Sequence, residues 1–321
     1  KLQFQLRDES LLILDTYKSK LNPNTYKLLE LQVMGALGYE LGRALVGLHR
    51  YAGNKNDEVI KSYLRMFMNN YFEQVSSAIL HIDESSISSP RFIDYLVEYT
   101  WLSFVDQYKG GGNVVKEWYE LSKKLVNSSP VRDRILASIL MKRFQDKPQE
   151  DLLADAFLTL KDPLSLHKIA TLKNLIKGTY AYKFSLPDVF GKFYKADDYK
   201  GKVIFMDFWY ASCLPCRDYM RNVVGPLKKI YKNNTDVVFI TVSTDKFEVF
   251  KTISKKDDFF IDGGVNLYTN NELFKHPIIQ YYQIRSYPYP LLIGKDGKLL
   301  TGLFDLKSIE GLKYAIDTAL K

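Results

Sequence analysis

Cys213 and Cys216 are the only cysteines in the sequence, and they follow an apolar run holding a single acid, Asp207. Val203-Ile-Phe-Met-Asp207-Phe-Trp209 has the length and composition of a buried strand, and a helix is expected from Arg217 to Lys232. The two thiols therefore fall where a strand gives way to a helix. Free backbone N–H groups and the positive end of the helix dipole favour a thiolate there. Cys213 is expected to titrate below the ~8.5 of a free thiol, with Cys216 one turn further on, on the same face and less exposed. Pro215 is compatible, because first-turn N–H groups have no intrahelical partner. Such a pair supports thiol–disulfide exchange, in which Cys213 attacks a partner disulfide and Cys216 resolves the mixed disulfide.

Asp207 has only apolar neighbours in the run, so its carboxyl is expected to be desolvated and its pKa raised. A group of that kind near Cys216 can take and return a proton during resolution. The alternative is a structural acid hydrogen-bonded within a core. A zinc site needs four ligands, and His49, His81, His167 and His276 show no paired spacing with the cysteines. Neither a metal nor any other cofactor is expected.

The elements that must position these groups lie in the second half. Tyr180–Leu186 alternates, Pro187–Gly191 is a turn and Lys192–Ala196 is a second short strand, giving a β-hairpin. After the strand and helix around the cysteines, residues 236–243 form another buried strand, followed by a helical piece from Lys246 to Ser254. The loop from Ile284 to Pro290 precedes a strand that ends in an Asp296-Gly297 turn. Lys298–Gly302 is its expected partner, and Ser308–Leu320 a closing helix. Strand, helix, strand, helix, hairpin and helix is an α/β pattern with a mixed sheet.

Residues 1 to about 178 read as helices throughout, at Ser10–Leu21, from Asn24 or Thr25 through Leu41, and at Asp57–Leu80, Ser89–Leu102, Val114–Val126, Ser129–Phe144, Gln149–Leu160 and Pro163–Ile176. Asn22-Pro23-Asn24, Gly110-Gly111-Gly112 and the Asp-Lys-Pro and Asp-Pro pairs punctuate them. No fixed period recurs, so a bundle of antiparallel helices is expected rather than a solenoid. The chain thus divides into an all-α domain, 1–178, and an α/β domain, 179–321. A length of 321 residues has room for about two domains.

A net charge of +8 is spread over both halves without a dense basic tract, which describes a solvated basic surface better than a nucleic-acid site. No apolar run reaches the ~18–20 residues of a membrane span. One close cysteine pair is no disulfide scaffold, so cysteine count leaves the compartment open. The chain opens on Lys1 rather than Met, so its natural N-terminus is expected to have been removed, and the sequence leaves open whether a signal peptide or lipid anchor preceded it.

Asp207-Phe-Trp209 followed by Cys213-Leu-Pro-Cys216-Arg217 resembles the active-site segment of the thioredoxin fold, and more closely the TlpA/ResA-type thiol–disulfide oxidoreductases of bacterial envelopes. Asp198-Tyr-Lys-Gly-Lys202, Val242-Ser-Thr-Asp245, Tyr282-Gln-Ile-Arg-Ser-Tyr-Pro288 and Leu291-Leu-Ile-Gly-Lys-Asp-Gly297 extend that resemblance over about residues 180–321. The helical half is loosely similar to the extension preceding this domain in envelope proteins of Bacteroidetes-type bacteria. The resemblance implies Cys213 as attacking thiol, Cys216 as resolving thiol and Asp207 as the buried acid. It places Pro288 at a cis-proline facing the dithiol, with Tyr287, Pro288 and Trp209 on the substrate-binding side. It also implies protein disulfide substrates, an upstream thiol donor, a reductive role and a periplasmic or envelope location. An oxidase or isomerase, or an envelope binding module on the same scaffold, are the alternatives. Three positions depart from the family pattern: Ser212 stands in place of a Trp, Tyr287 is bulkier than usual, and Gly294 replaces an acid.

Overall fold

The computed structural model describes residues 2–55, 59, 62–63, 65–69, 82, 84–108, 112–127, 129–144, 149–254, 263–300 and 306–321. The helix expected over 57–80 lies mostly outside them, as do Gly110, Gly111 and residues 301–302 of the expected last strand. The chain divides into two compact units, Lys1–Lys142 with Asp151–Lys168, and Arg143–Glu150 with Ile169–Lys321.

The first unit is helical: α1 (Leu2–Asp15), α2 (Pro23–Lys55), α3 (Pro90–Gln107), α4 (Val114–Leu125), α5 (Ser129–Arg143), α6 (Glu150–Thr159) and α7 (Pro163–Ala170). α1 begins earlier than the apolar stripe suggested, and it stops at Asp15 in a series of three-residue turns. The cap of α2 is neither Asn24 nor Thr25. Asn22 accepts from the Thr25 N–H at 3.0 Å, which leaves Pro23 in the first helical position, where its missing N–H costs nothing. Ser89 caps α3 in the same way through the Phe92 N–H at 3.2 Å. Gly35 and Gly38 let α2 approach α3 closely, since a Cβ on Gly35 would lie 2.5 Å from the Phe92 backbone nitrogen. Among the described residues, no helix is long and apolar enough to cross a membrane.

The second unit is built on a four-stranded sheet of β3 (Val203–Trp209), β4 (Val237–Ser243), β5 (Val265–Tyr268) and β6 (Tyr289–Ile293), in the order β5-β4-β3-β6. β3 runs parallel to β4, which runs parallel to β5, and β6 is antiparallel to β3. All seven residues of β3 are buried, as expected of a central strand covered on both faces. β5 and a short helix at Pro277–Tyr281 are elements that the sequence patterns did not indicate. A separate hairpin pairs β1 (Ser185–Pro187) with β2 (Phe193–Lys195). It is shorter than its alternation implied, because Tyr180 bridges Lys298 instead of joining it. Residues 298–300 return along β6, with the Leu300 N–H bonded to the Leu292 carbonyl at 3.0 Å.

Helices α8 (Leu214–Tyr219), α9 (Gly225–Ile230), α10 (Phe247–Ile253), α11 (Pro277–Tyr281) and α12 (Ile309–Leu320) complete the unit. The single helix expected from Arg217 to Lys232 is interrupted between α8 and α9 by a π turn, Met220–Val224. Pro226 accounts for it. Its ring would clash with the carbonyl four residues back and it has no N–H to donate. The helix widens ahead of it instead, and the Gly225 N–H reaches the Met220 carbonyl, five residues back. Val203 and Phe205 of β3 pack with Tyr219, Val223, Val224, Leu227, Leu312 and Ile316, so α8, α9 and α12 cover one face of the sheet. Full burial of a side chain such as Phe205 stabilises the fold by about 1.5–3 kcal/mol.

Candidate active site

β3 alternates, so Val203, Phe205, Asp207 and Trp209 share the face covered by the cysteine-bearing helix. At the strand's end the chain makes a turn, closed by the Cys213 N–H on the Tyr210 carbonyl at 3.0 Å, and enters α8 with Cys213 as its N-cap. The Cys213 sulfur accepts from the Cys216 N–H at 3.1 Å, which is the site where an N-capping oxygen ordinarily sits. The two cysteines form a disulfide.

Both are more enclosed than their helix-start position suggested, with Cys213 2% and Cys216 1% exposed. Trp209, Phe250 and Tyr268 pack with them in one apolar cluster, and Val189, Tyr210, Phe247, Ile253 and Tyr287 close around it. Cys213 is thus not the open thiol that the sequence implied. Exposed groups flank it instead, with Leu214 63% exposed. Trp209 ends β3. It is fully buried and backs the disulfide, because it is the last inward-facing residue of β3.

The Asp207 carboxyl is fully buried and neither oxygen has a hydrogen-bond partner. Burial pushes its pKa well above the usual carboxylate range. The Phe208 and Tyr289 backbone groups oppose that shift electrostatically, but neither completes a hydrogen bond. The pKa of Tyr219, one turn beyond Cys216, is raised by burial and then by the Asp207 charge.

The Tyr287–Pro288 peptide bond is cis. Tyr287 packs against the cysteine cluster, with its ring 5.3 Å from that of Tyr210 and 6.1 Å from that of Phe274. Its phenol oxygen is buried beside Thr244 without a complete hydrogen bond, and burial pushes its pKa up to about 12. The fold therefore brings Cys213, Cys216, Trp209 and Tyr287 into one cluster, and sets Asp207 on the strand face behind it.

Residues 201–299, which hold all of these groups, match the thioredoxin-like family model. The second unit carries a thioredoxin-like domain. The thiol–disulfide oxidoreductase ResA of Bacillus subtilis is 25% identical to this chain over 128 residues, covering 40% of this chain and 67% of that protein. ResA of Bacillus cereus is 29% identical over 137 residues, covering 42% and 74%. Among solved structures, the thioredoxin domain of a thiol–disulfide oxidoreductase from Bacteroides vulgatus is similar, at 22% identity, with 46% of this chain and 99% of that one covered and a TM-score of 0.40.

The residue types of Val242-Ser-Thr-Asp245 point to no chemistry by themselves. In the fold this segment lies against the turn before Cys213. Thr244 donates its N–H to the Trp209 carbonyl at 2.9 Å, and Asp245 accepts from the Ala211 N–H at 2.8 Å. Phe250, Tyr268 and Val189 also belong to the site. Their signal was only apolarity, which every core residue shares.

Proposed function

We propose that this chain exchanges its Cys213–Cys216 dithiol with disulfides of protein partners, as a reductase in the periplasm or cell envelope. The observation that carries the reading is a disulfide at the start of a helix, backed by a strand whose same face holds an unpartnered buried carboxyl. In the reduced form, Cys213 as thiolate attacks one sulfur of a partner disulfide. A mixed disulfide forms and one partner thiolate leaves. Cys216 then attacks the Cys213 sulfur and the second partner thiolate leaves, so the partner gains two electrons and the domain keeps its own disulfide. Asp207 accepts the Cys216 proton and returns it to the leaving thiolate. An upstream thiol donor restores the dithiol. Tyr287 and Pro288 form the face on which an extended partner segment pairs. The helical residues 1–178 form a separate domain under the same proposal.

Trapping tests this. Cys216→Ser lacks the resolving thiol and is expected to retain its substrates as mixed disulfides with Cys213, released by dithiothreitol. Capture of nothing from an envelope extract counts against protein substrates and favours a binding module, a reading that the near-complete burial of both sulfurs otherwise supports. Direction follows from the reduction potential of the pair. A value near ~−270 mV fits a reductase, and one near ~−120 mV makes the protein an oxidant.

A further inference from the structure

We infer that Asp245 is a positioning residue for the dithiol: its carboxylate pins the turn that delivers Cys213 to the helix start. The inference rests on the exchange reading above and goes beyond it to a residue that touches neither sulfur. Tyr210–Cys213 is a turn with its own internal hydrogen bond, so the Ala211 N–H points out of the turn and needs an outside acceptor. Asp245 Oδ2 is that acceptor, at 2.8 Å.

The carboxylate is itself held. Ser243 donates its hydroxyl to the same oxygen at 2.8 Å, and the Asp245 N–H donates back to the Ser243 hydroxyl oxygen at 3.0 Å. One residue earlier, the Thr244 N–H and hydroxyl both donate to the Trp209 carbonyl, at 2.9 and 3.2 Å. The last residue of β3 and the second residue of the turn are thus fixed from one rigid support, the end of β4. Ser212 at the tip of the turn is exposed.

The turn also meets the other half of the site, where the Tyr210 ring packs on that of Tyr287 at 5.3 Å. Burial raises the Asp245 pKa, and the Ser243 and Ala211 hydrogen bonds pull it back, as for a carboxylate held in a half-buried clamp. Loss of the clamp frees the turn. The Cys213 sulfur then leaves the position where the Cys216 N–H and the helix end stabilise its thiolate.

The test compares wild type, Asp245→Ala and Asp245→Asn in the full chain. The reduced proteins are alkylated with iodoacetamide over a pH series, and Ala211 amide exchange is followed by NMR. Asparagine keeps an oxygen acceptor and removes the charge. Asp245→Ala is expected to alkylate Cys213 about three- to tenfold more slowly at neutral pH, with the profile moved to higher pH and Ala211 protection lost. Asp245→Asn is expected to restore both to near wild type. An Asp245→Ala protein with wild-type alkylation and Ala211 protection overturns the inference, and so does an Asp245→Asn protein as slow as the alanine variant. If Asp245→Ala does not fold, Ser243→Ala, which removes one support of the carboxylate, is expected to give an intermediate loss of protection, and full protection there overturns the clamp. Because alkylation needs no partner, absence of exchange with protein disulfides defeats the proposed function while this comparison still decides the clamp.

Discussion

Cys213→Ala is expected to abolish reduction of a model disulfide by the dithiothreitol-driven protein, a loss on the order of 10³-fold or more. The attacking thiol has no substitute, since Cys216 lies one turn deeper, is as enclosed as Cys213 and is the only other cysteine. The comparison must separate chemistry from stability. The disulfide closes a short loop, whose constraint on the unfolded chain is worth about 2 kcal/mol. Oxidised wild type therefore melts higher than the variant for a reason unrelated to activity, and reduced wild type is the proper reference. Turnover by a folded Cys213→Ala protein at the wild-type rate would defeat the exchange mechanism.

The second large effect is at Asp207. Asn is nearly isosteric and cannot carry a proton between Cys216 and a leaving thiolate, so Asp207→Asn is expected to slow turnover about 10²-fold, the low end of general acid–base contributions. Formation of the mixed disulfide by Cys213 should be affected much less than its resolution. Rapid-quench measurement of the two steps separates them, and equal slowing of both would reduce Asp207 to a structural acid.

Stability gives an independent reading of the same group. The folded-state pKa of Asp207 is raised by burial, so the folded state holds its proton at pH values where the unfolded chain has released it. Folding then binds protons, and stability falls as pH rises. Asp207 costs nothing below its unfolded pKa, its penalty grows above that value, and the penalty levels off above the raised folded pKa. Asp207→Asn removes this slope, so the variant is expected to gain on wild type in denaturant midpoint as pH rises from about 4 toward neutrality. Parallel pH profiles would mean that the carboxyl is not desolvated in solution.

Local chemistry made the centre of the domain legible. Six apolar residues around a single acid define a central strand, and a Pro one residue before the second cysteine fits a first helical turn. The Asp296-Gly297 turn and the Ser308 cap likewise depend only on neighbours, with Gly297 at φ 78° and the Ser308 hydroxyl oxygen accepting from the Gly311 N–H at 3.0 Å. The helix after Cys216 was legible in extent but not in its π turn, although Pro226 held the cause. β5 and α11 escaped because four or five residues carry too little periodicity to separate strand or helix from loop.

The disulfide motif and its acid were thus determined by the sequence alone, because strand, turn and helix-start preferences act over a few residues. Tertiary structure decided what surrounds them. Packing of Trp209, Phe250 and Tyr268 with the cysteines, with Val189, Tyr210, Phe247, Ile253 and Tyr287 around them, encloses Cys213. Asp245 lies 34 residues along the chain from Ala211, and its role exists because β4 lies beside β3 in parallel register, Trp209 opposite Ser243. Contacts between segments so far apart depend on register and burial, which no local pattern encodes.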